Sequence, residues 1–141
     1  KFNLSMQIKF NELHDQILNF NPDVIVLDLR LAQSDHDETI DIDSYSGIKL
    51  LKEIHNINAG IQVIMLSATS KSTILERLYN YKITGYIKKE HPDDITIDTV
   101  ENINKFVRLV DRGLKNKYLK DICNIQKEIL GFDCIKNDKN D

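Results

Sequence analysis

The chain has 141 residues, 41% hydrophobic and 29% charged, which fits one globular domain with room for a core. Its net charge of −3 gives no global basic signature for nucleic acid, and no apolar run reaches the length of a membrane span. Two cysteines, Cys123 and Cys134, are too few for a disulfide framework. They read as ordinary thiols and point to a reducing, cytoplasmic setting.

The elements alternate along the chain. NELHDQILNF (Asn11–Phe20) puts Leu13, Ile17 and Phe20 on one helical face. DVIVLDL (Asp23–Leu29), bounded by Pro22, is short, β-branched and unbroken, so it reads as a buried parallel strand. SGIKLLKEIHNI spaces Ile48, Leu51 and Ile54 as a helix, with Ser44 or Ser46 as the expected N-cap. Gly60 ends that unit. IQVIMLSA (Ile61–Ala68) is a second buried strand. Thr73 and Glu76 have capping-box spacing for the helix TILERLYNYKI. GYIKK (Gly85–Lys89) is a short third strand. This alternation predicts an α/β sheet with parallel strands over residues 1–98.

From residue 99 to 131 the pattern is helical throughout. Val100, Ile103, Val107, Val110 and Leu114 step by three and four, a stripe assigned to the domain's own sheet. Phe106 continues the same periodicity. Gly113 marks an expected kink or a break into a helix pair, and Gly131 an expected stop. Beyond Gly113 the stripe resumes at Tyr118, Ile122, Ile125 and Ile129, with no further strand to cover. The expectation is a homodimer through this second half or, alternatively, a fold-back over the site left open by the absent first helix. Residues 132–141 form a polar tail.

In open parallel sheets, functional groups collect at the carboxyl ends of the strands. Asp28, Ser67 and Lys89 fall there. A carboxylate is a competent phosphoryl nucleophile, a lysine neutralises phosphoryl oxygens, and a serine hydroxyl donates to them. Each residue has an ordinary reading too: Asp28 as a turn former, Ser67 as a cap, Lys89 as a solvated charge. Their occurrence in this order, each at a strand end, favours chemistry.

The stretch from about residue 11 to residue 98 resembles the receiver domain of bacterial two-component response regulators. NPDVIVLDLRL is similar to the family's third strand, whose terminal aspartate accepts phosphate; the match is Asp28. SGIKLLKEI resembles the glycine and helix that follow. VIMLSA resembles the fourth strand, whose terminal Ser or Thr senses the phosphoryl group; the match is Ser67, followed by the small Ala68. GYIKKEHPDDI resembles the fifth strand, with Tyr86 at the switch aromatic and, three residues on, Lys89 rather than Lys88 at the phosphoryl-binding lysine. The resemblance implies a flavodoxin-like, doubly wound parallel sheet, extended here by the C-terminal helix.

The sequence departs from that family in three places. Only 22 residues precede Asp23, whereas a strand–helix–strand unit takes roughly 30 or more, so the family's first strand and first helix do not fit. Its acidic pair for magnesium is not visible either, since KFNLSMQIKF contains no acid. Asp28 and Gly47 are 19 positions apart, and the loop between them carries Asp35, Asp37, Glu38, Asp41 and Asp43. The spacing hints at a calcium loop, but the required glycine is absent and Ser46 stands at the terminal glutamate, so a solvated acidic insertion is expected. Glu90 follows Lys89 where many receivers have proline. The four histidines (His14, His36, His55, His91) lack ligand spacing.

The resemblance implies a signalling module rather than an enzyme. A histidine kinase or phosphotransfer protein would phosphorylate Asp28, with Mg2+ held by the Asp28 carboxylate and the backbone carbonyl of Arg30. Ser67, Ala68 and Lys89 would hold the phosphoryl group, and Tyr86 would switch a protein-contact surface. No nucleic acid or membrane is expected as partner. Two alternatives stand beside it. One is a pseudo-receiver that docks or dimerises without phosphate. The other is a haloacid-dehalogenase-like hydrolase, disfavoured because Arg30 occupies the position of that family's second aspartate.

Overall fold

The computed structural model describes residues 12–31, 42–68, 72–89 and 97–131. The opening KFNLSMQIKF, the acids Asp35, Asp37, Glu38 and Asp41, His36, Glu90, His91, the Thr73 side chain and the tail with Cys134 lie outside the described residues. In chain order the elements are α1 (Leu13–Phe20), β1 (Val24–Asp28), α2 (Ser46–Ile57), β2 (Gln62–Ser67), α3 (Ser72–Tyr79), β3 (Gly85–Lys88), α4 (Ile97–Lys115) and α5 (Tyr118–Leu130). A 3-10 turn, Ile42–Ser44, leads into α2.

The three strands are parallel and lie in the order β1-β2-β3. Successive side chains alternate between two faces. On one face Leu27, Leu29, Val63 and Met65 pack with Ile17 of α1, Ile48, Leu51 and Ile54 of α2, and Ile74 and Leu78 of α3. On the other, Ile64 and Ile87 pack with Leu109 of α4, joined by Val24, Leu66, Phe106 and Val110. With helices on both faces, this is the doubly wound, flavodoxin-like architecture expected. The expected α2 face is fully buried, and the extended C-terminal helical segment is present.

Several local expectations are corrected. Phe20 is exposed, so of the α1 stripe only Ile17 is seen to enter the core. Strand β1 is not buried throughout: Val26 lies on the α4 face, is 44% exposed, and α4 covers mainly β2 and β3. The α2 N-cap is Tyr45, with no side-chain cap bond. Ser46 instead uses its hydroxyl to accept from the Leu31 backbone N–H at 2.9 Å.

The stripe assigned to α4 is also partly wrong. Val100, Ile103 and Val107 are each more than half exposed, and the packing side is Phe106, Leu109, Val110 and the buried Gly113. The helix has turned by about one residue relative to the sequence stripe. Phe106 and Leu109 supply larger groups, and Gly113 lets the backbone pass Val24. The break between helices falls at Asn116–Lys117, not at Gly113, and Gly131 ends α5 with φ +58°.

Helix α5 folds back under the amino ends of the strands. Lys120 is buried and donates to the carbonyls of Asn21 (3.0 Å) and Pro22 (3.2 Å) and to Asp23 Oδ1 (2.6 Å). Asn58, at the end of α2, donates to the Lys120 carbonyl (3.1 Å) and to Asn124 Oδ1 (2.7 Å). Lys127 reaches the Ile57 carbonyl (2.7 Å) at the C-terminus of α2, where a cation meets orphan carbonyls. Gly60 permits this approach, because a Cβ there would collide with the Leu119–Lys120 backbone. The docked side of α5 therefore carries these polar groups beside the buried Cys123, and the sequence stripe faces away from it.

Candidate functional site

The site is built by strand register. Asp28 ends β1 opposite Leu66, and Ser67 pairs with Lys88. The ladder continues one step past each strand: Leu29 donates to the Leu66 carbonyl (2.8 Å), and Lys89 to the Ser67 carbonyl (2.7 Å). Three strand ends are thus brought level; Asp28 and Lys89 meet on the α4 face, whereas Ser67, two residues beyond Met65, falls on the opposite face of the sheet.

Alternation then selects the lysine. Ile87 packs on the α4 side, as does Val24 on β1. Lys89 is two residues beyond Ile87 and Asp28 four beyond Val24, so both side chains share that face. Lys88 points to the other. Lys89 Nζ donates to Asp28 Oδ2, and the pair lies open to solvent, with side chains 40% and 26% exposed. Asp28 Oδ1 accepts from the Arg30 backbone N–H at 3.2 Å. Neither member of the pair is shut away from an incoming ligand.

The loop beyond Asp28 is held against α2. The Gly47 N–H donates to the Leu29 carbonyl at 3.1 Å. A Cβ on Gly47 would meet the Asp28 carbonyl and sit 2.6 Å from that of Leu29, so only glycine lets the helix start this close. Together with the Ser46–Leu31 bond, this fixes the direction in which Asp28 leaves its strand. The sequence pointed to Gly47 only through a resemblance; its steric reason needed the fold.

The remaining expected residues are at the site or beside it. Ser67 is buried at 1% exposure, with its backbone in the ladder, and Ala68 follows it at the surface. Tyr86 is half-buried on β3. Its ring meets Tyr79 edge-on (centroids 5.9 Å apart, planes at 72°) and lies 4.3 Å from Lys105 Nζ. Sequence reasoning missed Lys105, which looks like an ordinary surface lysine. Asp43, the described end of the acidic insertion, accepts from Lys52 (2.5 Å) and Tyr81 (2.7 Å), and those bonds hold its carboxyl below the usual value. Among the described residues no cluster of three metal-ligating side chains occurs.

The sequence model of the response regulator receiver domain matches residues 8–101, two thirds of the chain. The chain belongs to the response regulator receiver family. All three described strands of this receiver lie within the matched residues. No curated protein matches the chain. No described helix is long and apolar enough to cross a membrane. Membership carries two-component signalling, a role that receivers generally perform without an enzymatic activity, through histidine kinases or phosphotransfer proteins.

Proposed function

We propose that this receiver accepts a phosphoryl group on Asp28 and passes the change to a protein-contact surface. The observation that carries the reading is the solvent-open Asp28–Lys89 pair at a level row of parallel strand ends. An Asp28 carboxylate oxygen attacks the phosphorus of a phosphohistidine presented by a histidine kinase or phosphotransfer protein. The P–O bond forms as the P–N bond breaks, and the electron pair leaves with the imidazole, which takes up a proton. Lys89, already on Asp28, moves to a phosphoryl oxygen as charge builds. The Ser67 hydroxyl turns toward the new group, and Ala68 leaves room for it.

A magnesium ion typically accompanies this chemistry in receivers. Here the described donors are the minimum for that hard cation, which commonly takes one or two carboxylates and completes its shell with water and phosphate oxygens. The Asp28 carboxylate and the Arg30 carbonyl would hold it, and it would neutralise phosphoryl charge. Tyr86, clasped by Tyr79 and Lys105, is the switch aromatic of this reading: moving inward, it gives up both contacts and alters the α3–β3–α4 surface. The reading makes the chain a cytoplasmic signalling module.

A second reading is a pseudo-receiver that docks without phosphate; in its favour, no group of three or more metal-ligating side chains occurs among the described residues. Acetyl phosphate with magnesium tests both. The full chain should gain one base-labile phosphoryl group by mass spectrometry, and Asp28→Asn should gain none. Equal labelling of both proteins removes Asp28 as acceptor, and labelling of neither leaves the docking module.

A further inference from the structure

Helix α5 is amphipathic the wrong way round for a helix docked on its own domain. Its inner side uses Lys120, Asn124 and Lys127 for polar bonds to Asn21, Pro22, Asp23, Ile57 and Asn58. Its outer side exposes Tyr118 (53%), Ile122 (44%), Ile125 (52%) and Ile129 (73%). Those four step by four, three and four residues, the a/d spacing of a two-stranded coiled coil, and Lys120 and Lys127 fall opposite the seam.

We propose that this seam is a homodimer interface, α5 against α5 of a second copy, with the two helices parallel. Three observations select that occupant. First, the spacing is self-complementary: Ile122 and Ile129 at a positions and Tyr118 and Ile125 at d positions present a second copy with the same seam. Second, the area suffices. The four seam residues and the neighbouring Leu119 offer roughly 100 Å² each, or about 1,000 Å² across a pair, the threshold for a specific interface. Third, charge sets the direction. Asp121 and Glu128 line one edge of the seam, and Leu119 and Gln126 the other. An antiparallel pair sets acid against acid on one edge, whereas a parallel pair sets each acid against an uncharged edge. The helix is also pre-formed by its polar docking, so association need not supply the ordering of a thirteen-residue helix.

The interface is at the opposite end of the sheet from Asp28, so it stands or falls independently of phosphorylation. Sedimentation equilibrium on the unphosphorylated full chain should show monomer–dimer exchange with a dissociation constant of roughly 10–100 μM. Ile122→Asp with Ile125→Asp, or the milder Ile125→Gln, should weaken it at least tenfold while far-ultraviolet circular dichroism stays unchanged. Ile103→Asp on α4 should leave it intact. Oxidised Tyr118→Cys should give a covalent dimer joining position 118 to position 118, since an antiparallel pair holds those positions about 16 Å apart. A wild type that stays monomeric at several hundred micromolar, a larger oligomer, or loss of the dimer through Ile103→Asp instead of the α5 changes would overturn the proposal. Absence of the 118–118 link in a dimer would overturn the parallel arrangement.

Discussion

Strand β1 is flanked by two aspartate–lysine pairs. Just ahead of its amino end Asp23 meets Lys120, whose side chain is 6% exposed and which also binds the carbonyls of Asn21 and Pro22. At its carboxyl end Asp28 meets Lys89, whose side chain is 40% exposed and whose single described partner is that carboxylate. The chemistry of the pair is the same at both ends; the environment differs. Where all three ammonium donors are used and water is excluded, the lysine is a fastener. Where one donor is used and water is present, the lysine can change partner, which a phosphoryl-binding group must do.

The comparison is broken or sharpened most strongly by matched substitutions. Lys120→Met leaves two carbonyls and Asp23 without their cation, and should cost roughly 2–4 kcal/mol in urea unfolding. The value sits at the lower end for a broken buried pair because Asp23 itself is partly exposed. Lys89→Met, the same change at the open end, should cost less than about 1 kcal/mol. Equal losses at the two ends would remove the distinction.

A finer test uses the two adjacent lysines. If Asp28 is phosphorylated as proposed, Lys89→Ala should abolish the part of any resulting tyrosine-fluorescence change that Tyr86→Phe removes, whereas Lys88→Ala, on the opposite strand face, should be nearly silent in that assay. Neither should shift stability by more than about 1 kcal/mol. A phenotype from Lys88 alone would place the register one residue off.

The smallest expected effect is a pH dependence in the closed half. His55, in the last turn of α2, has its Nε2 buried with no hydrogen-bond partner among the described residues. Burial first, and the charge of Lys82 second, hold it below the usual histidine value. The folded state then resists a proton that the unfolded chain accepts. Stability should be full above about pH 6.5 and fall as pH drops below it, less steeply in His55→Gln. Asp43 acts in a separate window. Its lowered value keeps its contribution intact above about pH 4 and loses it as pH falls further. Thermal unfolding from pH 8 to pH 3 separates the two.

The sequence by itself determined the strands and the parallel α/β class, and placed Asp28, Ser67 and Lys89 at strand ends. Continuous β-branched runs allow few other structures, and functional groups gather at the ends of parallel strands. Alternation along a strand says that only one of Lys88 and Lys89 can face Asp28, and the family resemblance, counted from Tyr86, favours Lys89. The tertiary structure alone decided which sides of α4 and α5 turn inward. Val100, Ile103 and Val107 carry as good a helical stripe as Phe106, Leu109 and Val110, and periodicity cannot rank two apolar faces about one residue apart in phase. In α5 the rule that the apolar face packs inward fails outright. Its inner face is settled by partly buried backbone carbonyls at Asn21, Pro22 and Ile57 that need donors, and Lys120 and Lys127 supply them. Such a demand arises only once distant segments meet, so no local pattern in the sequence announces it.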